Sequence, residues 1–380
     1  MLSSDDSVSK VEKILPLTSI RFFAALYVLG FHLALAGGSS WMPLLQTTLV
    51  QILRLGYTGV SFFFCLSGFV LALTYCHARP GFTNRNFYVA RFARIYPALV
   101  AYLLLDLPRF LHNQIHFEHQ SLHNIGWALS VSFGALEAWF PNLPALDNPS
   151  WSISVEIFFY LLFPVLGSWL WRLSGMWMLL SSLTLYFCSI LPILYLLMHH
   201  VIAHTLDNNP ISHLPEFILG MAIARLYVEI TLRPQWTAAA SRYSPAALVG
   251  SAVTFLVIPV FQIAVPSSLL QHALLVPLYG LVILALAAGR SQLTSIFSHR
   301  WLVTLGEASY GLYLLHIPLL AFFRRLIDSN YVIGVPLYIV SALGLSVIGY
   351  LWIEIPARQF ILRRAHIRSV ESAAVASIAQ

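Results

Sequence analysis

Apolar residues in this chain fall in long blocks rather than in strict alternation. Ten such blocks cover residues 20–36, 56–76, 95–110, 151–171, 176–198, 214–230, 246–265, 269–288, 301–323 and 333–355. As helices, blocks of this length come close to or exceed what is needed to cross a hydrocarbon layer about 30 Å thick. Within lipid, a helix satisfies its own backbone polar groups, which isolated strands cannot do. The pattern therefore predicts an all-α fold: a polytopic transmembrane helical bundle of about ten spans. Ten-residue segments of alternating polarity, the mark of a membrane β-barrel, are absent. Gly37-Gly38-Ser39-Ser40 ends the first block. That block has no small-residue cleavage site and more blocks follow it, so it reads as a retained span.

Composition strengthens this picture. The chain is 58% hydrophobic and 9% charged, against about 25% charged for soluble domains. Its net charge of +6 does not point to nucleic acid, because lysine and arginine gather in short loops and the tail, where they set orientation. Residues 1–16 read as a cytoplasmic N-terminal tail, 17–357 as the membrane domain and 358–380 as a cytoplasmic basic tail. The basic loop holding Arg79, Arg85, Arg91 and Arg94 is the strongest positive-inside signal. Counting spans forward from the N-terminus and backward from the tail puts both ends of residues 112–150 outside. Residues 125–140 are then expected to be re-entrant or interfacial. The location implied is the cell inner membrane, multi-pass. Cys65, Cys76 and Cys188 show neither a disulfide framework nor zinc spacing.

Chemistry is sought where ionisable groups interrupt the apolar blocks. His32 follows Arg21 by eleven positions in the first block, roughly 16 Å along a helix. With Arg21 at an interface, His32 is deep in the membrane, where ionisable groups face an interior cavity. A histidine there suits a general base. Glu156 in Trp151-Ser152-Ile-Ser154-Val-Glu156 lies at a similar depth in its own block. It is expected to meet His32 and orient its imidazole. Arg91 and Arg94 share a helix face and fit phosphate through the guanidinium fork. Ser309, Tyr310, Tyr313 and His316 fall mostly along one interior face, and Ser67-Gly68 supplies small residues for close helix approach. Glu354 and Arg358 at i, i+4 are expected to pair. His112, His116, His119 and His123 would share a face if helical, yet read better as an interfacial polar face than as metal ligands.

Together these segments resemble the acyltransferase-3 family of integral-membrane O-acyltransferases. The matching motifs are Arg21-x10-His32, Phe63-Phe-Cys-Leu-Ser67-Gly68-Phe69, Arg91-Phe-Ala-Arg94-Ile-Tyr-Pro97, Trp151-Ser152-x3-Glu156, Pro215-Glu216-Phe217-x2-Gly220, Ser309-Tyr310-x2-Tyr313-x2-His316 and Ile353-Glu354-x-Pro356. They stand in family order over nearly the whole chain. One departure is Ala90, where the family's basic motif usually has a second basic residue before Arg91. The resemblance implies acyl transfer, usually of acetyl, from acyl-CoA to a hydroxyl of a carbohydrate or glycan. It implies a catalytic His32 and donor binding by Arg21, Arg91 and Arg94. Glu156 is then the orienting carboxylate, with Tyr310, Tyr313 or Ser152 as donors to the developing oxyanion. Ser67, Ser309, Tyr313 and His316 complete the interior polar set. Acyl-CoA would be a co-substrate, with no bound cofactor and no metal, and the lipid bilayer and a glycan acceptor would be the other partners. A transporter or flippase with an intramembrane His/Glu/Arg relay is the competing class, although no internal repeat supports it. A membrane sensor with a buried ligand pocket is the third.

Overall fold

A computed structural model describes residues 14–37, 48–77, 83–146, 148–173, 175–198, 208–260 and 267–366. Arg79, Asp147 and most of both tails lie outside them. Among the described residues the chain is helical, without strands. The helices are α1 (Leu15–Gly37), α2 (Thr48–Arg54), α3 (Thr58–Leu71), α4 (Asn84–His116), α5 (Leu122–Phe133), α6 (Trp151–Arg172) and α7 (Gly175–Met198). They continue as α8 (Leu214–Thr231), α9 (Pro234–Val260), α10 (Val276–Ala288), α11 (Gln292–Ile296), α12 (Arg300–Glu307), α13 (Ser309–Ser329), α14 (Tyr331–Gly349) and α15 (Ile355–Arg364). Among the described residues three short π-helical turns interrupt this pattern, at Ala72–His77, Leu270–Leu274 and Tyr350–Glu354.

The membrane bundle is as expected, but ten spans are not established. Among the described residues seven helices are long and apolar enough to cross, or eight if the pair Ser267–Leu274 and Val276–Ala288, bent by 41°, forms one span. α8 has 18 residues and carries Glu216, Arg225 and Glu229, so it is both short and charged for a lipid-facing span. The block at 301–323 is not one helix: α12 ends at Glu307 and α13 begins at Ser309. Conversely, α4 begins well before residue 95 and runs 33 residues through Pro97 and Pro108. Arg91 and Arg94 are thus part of a long helix rather than of a loop. α5 spans 12 residues, roughly 18 Å, too short to cross and consistent with an interfacial or re-entrant piece.

Close packing centres on α1, which lies against α3, α12 and α13. α3 in turn crosses α8 at van der Waals contact of their backbones. A Cβ at Gly68 would strike the Phe217 carbonyl oxygen, and one at Gly220 would strike that of Cys65. These two glycines let the helices approach without a side chain between them, as small residues do in membranes. The sequence motif containing Ser67-Gly68 is therefore a packing motif, and Ser67 sits half-buried beside the crossing. α13 and α14 form a hairpin, tied by a hydrogen bond from the Tyr338 hydroxyl to the His316 carbonyl at 3.0 Å.

Candidate active site

Two polar clusters share α1. The first gathers at its Arg21 end. Arg21 and Arg94 lie within electrostatic reach of each other and of Glu156, Glu307 and Tyr160. Glu354 adds a third carboxylate near Arg94 and Arg21, and Arg358 a further guanidinium near Arg94, Arg91 and Glu307. Arg91 donates from Nη2 to the Tyr75 hydroxyl at 3.1 Å. Its guanidinium lies 5.4 Å and 5.9 Å from the centres of the Tyr75 and Tyr160 rings, a placement that favours a cation. The Tyr160 hydroxyl donates to Glu156 Oε1. Tyr350 reaches Glu307 Oε2 at 3.4 Å, and Tyr310 donates to the Ile95 carbonyl at 3.2 Å, one residue past Arg94. Four arginines thus meet three carboxylates, leaving an excess of positive charge from the described residues.

The second cluster sits one span-half away, at the His32 end. His32 Nδ1 lies 3.1 Å from the Val28 carbonyl and 3.1 Å from His316 Nε2. His316 Nδ1 lies 2.5 Å from the Tyr313 carbonyl. Carbonyls accept only, so both Nδ1 atoms must carry hydrogens. The one hydrogen on His32 Nδ1 is then shared between the Val28 carbonyl and the His316 Nε2 lone pair, and His32 Nε2 is left as a lone pair able to take a proton. His316 is buried and His32 half-buried. The Tyr313 hydroxyl donates to the Pro149 carbonyl at 3.1 Å, and Ser152 Oγ donates to the same oxygen at 3.0 Å. That shared carbonyl brings the start of α6 to the histidine pair.

The sequence-expected residues therefore divide. His32, His316, Tyr313 and Ser152 stand together; Arg21, Arg91, Arg94, Glu156 and Tyr310 stand together elsewhere. The expected meeting of His32 with Glu156 does not occur: no hydrogen bond or ion pair joins them, and His316 takes the place beside His32. Equal distance from the helix ends did not give equal depth: Ser152 at the start of α6 reaches the level of the histidine pair, and Glu156, one turn further on, stands with the Arg21 cluster. Glu156 turns to Tyr160 and the arginines. Glu354 likewise lies in a π turn facing the Arg94 group, not in a simple pair with Arg358. Ser309 spends its hydroxyl on its own turn, donating to the Gly306 carbonyl at 2.8 Å. The four-histidine face is broken: α4 ends at His116, His119 has φ 49° and His123 lies in the first turn of a separate helix.

Sequence reasoning missed Glu307 in the arginine cluster and, outside both clusters, the meeting of His213, Glu216 and His272. Glu216 was noticed within a motif without a role; its spacing of three from His213 was the available signal.

A family profile described as an acyltransferase domain of the acyltransferase-3 type matches residues 17–353. Acyltransferase MdmB of Streptomyces mycarofaciens is 29% identical over 342 residues, covering 84% of this chain and 82% of the relative. Peptidoglycan O-acetyltransferase OatA of Listeria monocytogenes is 24% identical over 323 residues, covering 79% of this chain and 48% of that longer protein. No solved structure matches this chain.

Proposed function

The chain belongs to the acyltransferase-3 family of membrane acyltransferases, and from that premise we propose that it moves an acyl group, acetyl foremost, from acyl-CoA to a hydroxyl of a carbohydrate or glycan. The observation that carries this reading is the division of labour along α1. An arginine-rich cluster stands at one end and a hydrogen-bonded imidazole pair at the other. Acyl-CoA has a phosphorylated head and a thioester at the far end of a long arm, and this arrangement suits both. The Listeria relative is a peptidoglycan O-acetyltransferase by name, which supports acetyl and a glycan acceptor.

In the proposed reaction Arg21, Arg91 and Arg94 hold donor phosphates by charge-assisted hydrogen bonds. The carboxylates Glu156 and Glu307 fix the guanidinium orientations. The thioester reaches toward His32. His32 Nε2 removes the acceptor's hydroxyl proton while the oxygen attacks the thioester carbonyl. The C–S bond breaks, the ester forms, and the proton passes from His32 to the CoA thiolate. His316, through its Nε2 lone pair, holds the His32 ring in the required tautomer, the part a carboxylate plays in a triad. Tyr313 and Ser152 both point hydroxyls into the Pro149 carbonyl, and release of one of them to the reacting carbonyl would supply an oxyanion donor.

Purified protein in detergent, given radiolabelled acetyl-CoA, should release labelled acetate slowly or label an added glycan acceptor. His32→Gln should abolish both. Absence of any turnover of acetyl-CoA, with or without glycan, by folded wild-type protein would remove acyl-CoA as the donor. Mass spectrometry of surface glycans from cells with and without the protein then identifies the acceptor.

A further inference from the structure

Behind the wall of the site, three metal-ligating side chains converge in a place that the proposed reaction does not use. We propose that His213, Glu216 and His272 hold a structural divalent metal ion of the zinc class. His213 immediately precedes α8, Glu216 lies in its first turn, and His272 projects from the π turn Leu270–Leu274. All three are shut away from solvent, at 1%, 0% and 0% exposure. His213 Nδ1 and His272 Nδ1 approach the same carboxylate oxygen, Glu216 Oε1, at 3.1 and 2.9 Å. Ligand atoms of the three lie within 4.8 Å of one another. In a tetrahedral shell with bonds of about 2.0–2.1 Å, neighbouring donors stand roughly 3.3 Å apart. Two of the three edges are a little shorter than in such a shell, and no pair of ligand atoms is further apart than 4.8 Å.

The unequal use of the carboxylate favours a metal over a plain hydrogen-bonded network. Without a metal, Oε1 would accept two N–H bonds while Oε2, also buried, accepts none. An orphaned carboxylate oxygen in the interior is costly. With a metal, both Nδ1 lone pairs and the carboxylate become ligands, a two-histidine, one-glutamate set that zinc takes, and the second carboxylate oxygen also lies against a cation. The remaining nitrogen of His272 supports this. Its Nε2 lies 2.8 Å from the Gln271 side-chain amide, whose oxygen and nitrogen are interchangeable in assignment. An Nε2–H donated to that amide oxygen leaves Nδ1 bare for the metal, the usual outer partnership of a ligating histidine. Imidazole with carboxylate suits zinc better than the softer or harder alternatives.

The ion would pin two separate segments, the start of α8 and the π turn Leu270–Leu274, at one point. The His213 ring stacks on Trp151 at 5.4 Å and meets the Phe64 ring edge-on at 4.7 Å. Trp151 is the residue before Ser152, so the ion would steady the wall that carries the shared Pro149 contact.

The test uses the full chain purified in detergent without added metal. Mass spectrometry of the metal content should find about one zinc per chain, and chelator should lower the unfolding temperature by several degrees until zinc restores it. Cobalt added to the chelated protein should produce the visible absorption of a four-coordinate site. Glu216→Gln and His272→Gln should each lose at least about nine-tenths of the zinc. Wild-type protein with far less than one zinc per chain, and an unfolding temperature indifferent to chelator and zinc, overturns the proposal. So does zinc retained in full by both variants. If neither variant folds, the wild-type metal content and chelator response decide.

Discussion

At the Arg21 end of α1 the polar groups are guanidiniums, carboxylates and the phenols bonded to them; at the His32 end they are imidazoles, hydroxyls and backbone carbonyls. Both groups are embedded in one apolar bundle, so both face the same cost of burying polarity. They meet it in different ways. The arginine cluster balances charge against charge and leaves a positive remainder for an anionic ligand. The histidine cluster carries no formal charge and satisfies itself through N–H and O–H donors. A carboxylate beside His32 would also orient the ring, but it would bring a second buried charge with it. A neutral imidazole partner orients the ring and leaves its lone pair available. The contrast separates a group built to bind charge from a group built to move a proton.

The largest effect should come from breaking the histidine end. His32→Gln should fold normally, judged by size-exclusion chromatography, and lose about 10²–10⁴ in transfer rate, the usual cost of a lost general base. Near-normal transfer would move the base elsewhere. His316→Gln should cost less, roughly 10–10²-fold, because it disturbs orientation and leaves His32 Nε2 in place. If the pair acts as a unit, the double variant should be little slower than His32→Gln alone; a multiplicative loss would separate their roles. Arg94→Ala and Arg91→Ala should weaken donor binding about ten- to hundredfold, the worth of one charged contact of roughly 1.5–3 kcal/mol. Their turnover at saturating donor should change little. Equal losses in turnover and in donor affinity for both classes of variant would erase the division between the two ends.

The smallest effect concerns a carboxyl outside both clusters. Glu137 follows α5, receives a hydrogen bond from Ser132 Oγ at 2.7 Å and is 6% exposed. Burial pushes its carboxyl up from 4.5 to about 7, against the opposing pull of Ser150 and Ser132. A raised carboxyl favours the protonated folded state, so this stabilisation is whole below pH 4.5 and is lost as pH rises through about 7. Thermal unfolding between those values should therefore show the wild type losing stability as pH rises, while Glu137→Gln stays flatter. Parallel curves for the two proteins would show that this carboxyl does not govern the segment.

The position of each helix along the chain was readable from the sequence; which residues of different helices share a level and a face was not. The apolar blocks located α1, α3, α6 and α14 closely, and the spacing of Arg21 from His32 placed the two ends of the site. The partner of His32 was beyond reach, because His316 is 284 positions away and only the packing of α13 against α1 brings them together. The same limit hid His272, 56 positions from Glu216. The break at Ala308 was also missed, since residues 301–323 hold enough apolar side chains to read as one block. Gly68 was marked for close helix approach, but that it meets Gly220 of α8, which had stood only within a motif, needed both helices in place.

The π turns carry one more consequence. Each contains a residue of a polar cluster: Tyr75 beside Arg91, His272 beside Glu216, and Tyr350 with Glu354 beside Glu307 and Arg94. A π turn is an α-helix with one residue too many, and each residue advances a helix by about 100°. Removing that residue would restore ordinary winding while rotating everything beyond it by more than a quarter turn. Insertions and deletions in these helices are thus not equivalent to lengthening or shortening a rod. They act as a change of phase, and the polar interior tolerates that change far less than the lipid-facing exterior does.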